Sequence, residues 1–202
     1  GPADERWVVD HQVIPGDPKL AATQEALLSA LAGRYRHASG HMLPIHAVCI
    51  DTGYATDEMY DIVLRHQHLR FYATKGFAGL EGEPIVKFTQ KRYGRRGLPV
   101  QLGHVNVDDA KADVMNGLLL PRAGPRYIHF PDHVPGVDEE YFAQLCAEHR
   151  ETVRGRNGVV THTVWVQHRA RNEALDTAVL CLAAFRAMKP NLRGMADKLA
   201  ST

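Results

Sequence analysis

The chain has 202 residues, 45% hydrophobic and 23% charged, enough to bury one substantial core in a single α/β domain. Its 24 Lys plus Arg nearly balance 23 Asp plus Glu, so the overall charge announces no nucleic-acid partner and leaves any basic surface to local patches. Three isolated cysteines without Cys-x-x-Cys spacing, no apolar run near the ~20 residues of a membrane span and no signal peptide argue against a disulfide scaffold and an integral membrane protein, and for small core thiols in a reduced, intracellular compartment.

Gly1-Pro2 reads as a cleavage scar or a natural turn. Trp7 to Ile14 follows as a strand, stopped by Pro15-Gly16-Asp17-Pro18, and its pairing partner is expected upstream of this sequence. Leu20, Leu27, Leu28 and Leu31 recur at helical spacing up to Gly33, and Arg34 to Gly40 is a polar connection. The apolar run Ala47-Val48-Cys49-Ile50 ends in Asp51, turns through Thr52-Gly53 and enters a helix from about Thr56, the expected N-cap, to Gln67. Leu69 to Ala73 is the next strand, closing at Thr74-Lys75-Gly76. Strand, helix and strand over this distance predict a βαβ unit with parallel strands.

Phe77 to Gly97 differs in character. Lys87, Lys91, Arg92, Arg95 and Arg96 are interleaved with Phe88 and Tyr93, and no acid falls between Lys87 and Arg96. The segment is either a solvated loop or a mobile hairpin whose cations sit on phosphates. Val100 to Val107 reads as a strand, and Asp108-Asp109-Ala110-Lys111 opens a helix to about Leu119, with both aspartates read as cap and dipole partners. Tyr127 to Phe130 is a short strand, Glu139 to Arg150 a helix, Val159 to Gln167 a strand, and the last long helix begins near Asn172. Residues 189–202 read as a flexible tail.

Asp51, at the C-terminal end of a buried strand, sits where open α/β sheets keep their chemistry. It either caps the turn that follows or binds a metal with a second carboxylate. Asp176 is the candidate for that second carboxylate. It is the only charge between Ala174 and Phe185, and no cation lies three or four residues away, so it is expected to be at least partly buried. A buried carboxylate needs compensation, by a long-range Arg or Lys or by a divalent cation shared with Asp51. Oxygen ligands point to Mg²⁺ or Mn²⁺. The 12 histidines fall into no zinc spacing and read as surface or packing residues. There is no Gly-x-Ser-x-Gly nucleophile motif and no Gly-x-x-x-x-Gly-Lys-Ser/Thr phosphate loop.

Taken in order, Cys49-Ile50-Asp51-Thr52-Gly53, Thr74-Lys75-Gly76, Val107-Asp108-Asp109-Ala110-Lys111, Ile128-His129-Phe130-Pro131, Gln144-Leu145-Cys146-Ala147-Glu148 and Arg171-Asn172-Glu173-Ala174-Leu175-Asp176 resemble the C-terminal nuclease domain of the lambda-type (GpA-like) terminase large subunit of tailed bacteriophages. The resemblance covers about Trp7 to Met188. It implies an RNase H-like mixed sheet flanked by helices and a DNA endonuclease that cuts concatemeric viral DNA during packaging, in the cytoplasm of a bacterial host. It also implies an upstream ATPase domain, a small terminase subunit and a capsid portal as partners. Asp51 matches the family's fourth-strand carboxylate and Asp176 its last-helix carboxylate. The family's first-strand aspartate lies upstream of the segment that Trp7 to Gln12 matches, so the domain is expected to be N-terminally incomplete, weak in metal binding and poor in cleavage.

On this reading Asp51 and Asp176 are the catalytic metal ligands of a two-metal site. Lys75, Lys111 and the Lys87–Arg96 cations are candidate DNA contacts, with a solvated surface role as the plain alternative for both lysines. Glu148 and Glu173 are outer-shell candidates. The rival readings are a catalytically incomplete DNA-binding or portal-docking module of the same fold, and a resolvase- or transposase-type enzyme with the same carboxylates.

Overall fold

The computed structural model describes residues 4–79, 82–155, 157 and 159–200; Gly1-Pro2 and the last two residues of the expected tail lie outside them. Its centre is a mixed four-stranded sheet built from β4 (Val48–Asp51), β5 (Phe71–Phe77), β6 (Val86–Tyr93) and β7 (Leu98–Asn106), in the order β4-β5-β7-β6. β4 and β5 run parallel through the intervening helix α2 (Thr56–His66), as the strand-helix-strand spacing predicts. β5 is also parallel to β7, while β6 and β7 form an antiparallel hairpin. The basic segment from Lys87 is therefore one arm and the turn of this hairpin.

Strand alternation sends side chains to two cores. Val48, Ile50, Phe71, Ala73, Val100 and Leu102 pack on one face with Met59, Tyr60, Ile62 and Val63 of α2, covered by leucines of α1 (Ala21–Leu31). The other face holds Cys49 and Val105 against α3 (Val107–Leu118), α4 (Glu139–Leu145) and α5 (Glu173–Met188). Ile62, Ala73, Val105, Leu175 and Ala183 are fully buried, so both faces of the sheet are covered over β4, β5 and much of β7, while the edge strand β6 stays exposed. No described helix is long and apolar enough to cross a membrane.

Several expectations are corrected. Only Arg6–Trp7 (β1) of the expected strand from Trp7 to Ile14 is a strand, and its partner is within the chain: it pairs in parallel with β8 (Ile128–His129). The connection from Arg34 to Gly40 contains β2 (Arg34–Arg36), which turns at Gly40 (φ +89°) to pair with β3 (Met42–Pro44). The helix expected to reach Arg150 stops at Leu145. Glu148–Arg154 is a strand, β9, paired antiparallel with β10 (Val160–Gln167). Residues 192–200 of the expected tail form a helix, α6 (Leu192–Ala200). The thiols are free, but only Cys49 is half-buried; Cys146 and Cys181 are exposed.

Candidate active site

Two threonines hold the end of β4. The Thr52 backbone N–H and hydroxyl both donate to the Thr74 carbonyl, at 3.0 and 2.9 Å, and the Thr74 hydroxyl returns a 2.9 Å bond to the Ile50 carbonyl. Both side chains are buried, so no water competes for these bonds. The strand terminus that carries Asp51 is thereby fixed to β5. Sequence reading passed over both threonines, because their role depends on the parallel partner strand. Gly53 matters for a simpler reason: a Cβ there would come within 3.0 Å of Asp51 Oδ2, so the carboxylate is folded over the glycine.

Asp51 shares the face of Cys49 and looks towards α5, whereas Lys75 follows Phe71 and Ala73 onto the α2 face. Asp176 lies in the first turn of α5, which is N-capped at Asn172. Asp176 keeps an exposed surface and is only partly shielded from water by its surroundings, in line with the expected partial burial. Partial loss of water nevertheless raises its carboxyl pKa above the ordinary value; the Lys111 ammonium opposes this, and the negative charges of Glu148, Asp51 and Glu173 reinforce it. Asp51 and Asp176 therefore stand close enough for their charges to interact. Neither carboxylate makes a hydrogen bond or ion pair among the described residues.

Beside them lies a buried polar cluster. Lys111 Nζ donates to Glu148 Oε1 at 2.8 Å and Oε2 at 2.6 Å, and Asn172 Nδ2 donates to Glu148 Oε1 at 2.8 Å. Glu148 is 7% exposed. Three separate elements, α3, β9 and the start of α5, are joined by this one carboxylate. Lys111 is thus committed to an ion pair, although its charge still reaches Asp176; an ammonium has three donors and the bonds to Glu148 use two. Glu173 points elsewhere, 3.6 Å from Arg171.

The other candidate cations are dispersed. Lys87 pairs with Glu83 at 2.7 Å, Lys91 sits 5.0 Å over the Tyr60 ring, and Arg92 donates to the Gly97 carbonyl at 3.2 Å. Arg95 and Arg96 occupy the exposed hairpin turn. The structure brings Asp51, Asp176 and Lys111 together; it does not bring Lys75 or the hairpin cations to them.

As a donor set, two exposed carboxylates with no hydrogen bond or ion pair among the described residues would suit a hard divalent cation. Among the described residues no three His, Cys, Asp or Glu side chains converge on one point. The pair alone would supply only part of a coordination shell.

A family model described as terminase large subunit gpA, endonuclease domain, matches residues 1–197. The terminase large subunit of Escherichia phage lambda is 31% identical over 193 residues, covering 92% of this chain and 29% of that protein. That of Enterobacteria phage P21 is 31% identical over 191 residues, again 92% of this chain and 29% of the relative. The chain thus spans 29% of the length of these curated relatives. No solved structure matches.

Proposed function

Because the chain belongs to the family of terminase large subunit gpA endonuclease domains, we propose that it is a divalent-cation-dependent DNA endonuclease of RNase H-like fold that cuts concatemeric viral DNA during packaging. One observation carries this reading: Asp51 and Asp176, from the end of a sheet strand and the first turn of a late helix, act on each other's charge, and neither carboxylate makes a hydrogen bond or ion pair among the described residues.

The roles follow from the placement. Asp51, held by the Thr52–Thr74 clasp, and Asp176, on the first turn of α5, would hold Mg²⁺ or Mn²⁺, in a pair of ions for the two-metal form of the reaction. A cation held there would supply Lewis-acid activation of an attacking water and offset charge developing on the phosphate. Lys111, with Glu148 fixing its ammonium, keeps a positive charge beside the two carboxylates and offers its third N–H to a phosphate oxygen. The ATPase domain, small subunit and portal that go with packaging enter as partners on the same reading, as does the cytoplasm of the bacterial host.

Supercoiled plasmid incubated with Mg²⁺ or Mn²⁺ tests the proposal. Slow nicking by the wild type, in keeping with the weak cleavage expected of this chain, and its loss in Asp51→Asn and in Asp176→Asn are the expected result. Equal cleavage by all three proteins would sink it.

A further inference from the structure

β2 and β3 are joined by a tight turn, His37-Ala38-Ser39-Gly40-His41. Arg36 pairs with Met42, so His37 and His41 stand opposite each other where the ladder ends, and the His37 N–H donates to the His41 carbonyl at 2.8 Å. The Gly40 N–H closes the turn on the His37 carbonyl at 2.9 Å. Residues opposite each other in a hairpin have Cβ atoms about 5 Å apart. Two imidazoles therefore share the mouth of one turn.

A hydroxyl stands between them. Ser39 Oγ lies 2.8 Å from His37 Nδ1 and 2.8 Å from His41 Nδ1. The Ser39 backbone N–H donates to His37 Nδ1 at 3.1 Å, so that nitrogen carries a lone pair turned into the loop. A single hydroxyl proton cannot serve two ring nitrogens at once, and neutral histidine offers its own lone pair at Nδ1 in one of its two tautomers. With His41 in that tautomer, two imidazole nitrogens and one hydroxyl oxygen converge. His37 and Ser39 are exposed and His41 is half-buried, so an ion can reach them from solvent.

The spacing discriminates between ions. With metal–ligand bonds of about 2.0 Å, neighbouring donors of a square or octahedral shell stand about 2.8 Å apart, and those of a tetrahedron about 3.3 Å. The two contacts to Ser39 Oγ match the former. Imidazole suits transition metals rather than Mg²⁺ or Ca²⁺, tetragonal shells of nitrogen and oxygen belong to Cu²⁺ and Ni²⁺, and Cu²⁺ heads the affinity order of the divalent first-row ions. Zinc-type spacings along the sequence do not describe this pair, because the hairpin turn brings it together.

We propose that the β2–β3 turn is a cation site of its own, for a divalent transition metal and for Cu²⁺ above the others, held by His37 Nδ1, His41 Nδ1 and Ser39 Oγ with water in the remaining positions. Two histidines and a hydroxyl make a smaller donor set than a cluster of three His, Cys, Asp or Glu, which does not occur among the described residues, so the affinity is moderate. The ion ties together two strands of three residues each and stabilises a hairpin that strands so short leave marginal. The site stands independently of the nuclease reading.

The test titrates the whole chain with CuCl₂, followed by calorimetry and by the nitrogen splitting in the electron paramagnetic resonance spectrum of Cu²⁺. The wild type should bind one ion more tightly than any other, with the splitting of two imidazoles. His37→Gln and His41→Gln should each weaken that ion at least about tenfold and leave the splitting of one; Ser39→Ala should weaken it less and keep both. Excess Mg²⁺ should not displace it, and Asp51→Asn should bind it as the wild type does. Circular dichroism checks folding, and should one histidine variant unfold, the other carries the test. Wild-type affinity and splitting in the histidine variants would overturn the proposal and move the ion elsewhere, as to His149 and His168, whose ring centroids are 5.6 Å apart, with Glu151 2.8 Å from His149 Nε2. No Cu²⁺ binding by the wild type would overturn it outright.

Discussion

Lys111 Nζ lies 2.6 and 2.8 Å from the two oxygens of Glu148, with the two side chains 13% and 6% exposed. A pair this buried is a weak source of net stability, but removing one member strands the other's charge. Lys111→Ala should therefore cost about 3 kcal/mol in urea unfolding. Lys111→Met with Glu148→Gln should recover most of it, since the remaining amide can still accept from Asn172. A Lys111→Ala cost below about 1 kcal/mol would mean the pair is loosely held.

Asp176 titrates the wrong way for a stabilising carboxylate. Its folded pKa is raised, so the native state holds the proton more tightly than the unfolded chain, and stability attributable to this group falls as pH rises from the ordinary carboxylate range through the folded value. Above that window the penalty is constant. Without metal, Asp176→Asn should raise the melting temperature at pH 7, by a free energy of at most about 1 kcal/mol because the residue is exposed to screening solvent. The gain should shrink as pH is lowered through the window, checked by thermal melts at pH 3.5, 5 and 7.

A divalent cation should reverse that ranking. Mn²⁺ at about ten times its dissociation constant stabilises the native state by about 1.4 kcal/mol, read as an upward shift in melting temperature. Wild type should show the shift, and Asp51→Ala and Asp176→Asn should not. A shift of the same size in both variants would place the cation elsewhere.

Gly53 offers a subtler probe. An added Cβ meets Asp51 Oδ2 at 3.0 Å, closer than ordinary contact, so Gly53→Ala displaces the carboxylate by a few tenths of an ångström. Gly53 is exposed, so folding should be little changed. Mn²⁺ affinity, measured by calorimetry, should drop about tenfold, the usual scale for disturbing a ligand's support.

The two carboxylates were legible because each breaks an apolar pattern: Asp51 ends a buried run, and Asp176 is a lone charge on an otherwise apolar helix. The parallel pairing of β4 with β5 followed from a helix-length spacer. What escaped was set by partners distant in sequence. Nothing local shows that the helix after Glu139 yields to a strand at Glu148, since that strand is specified by pairing with β10. Trp7 to Ile14 has strand-like residues, but only Arg6 and Trp7 meet a partner, at Ile128 and His129. Lys75 sits one position past a residue facing the site, and pleat parity sends it to the opposite side. Lys111 reads from the sequence as a candidate DNA contact or a solvated surface group, because its partner Glu148 is far away along the chain.

One half of the site closes an early strand, and the other rides on a helix near the end of the sequence, seated against Cys49 and Val105. Their meeting joins positions far apart along the chain, a non-local contact whose loop-closure cost is high. Slow amide exchange at Ile62 and Ala73 can thus coexist with transient undocking of α5, and each such excursion parts the ligands while the sheet stays intact. Heating should silence the chemistry several degrees before the central strands let go.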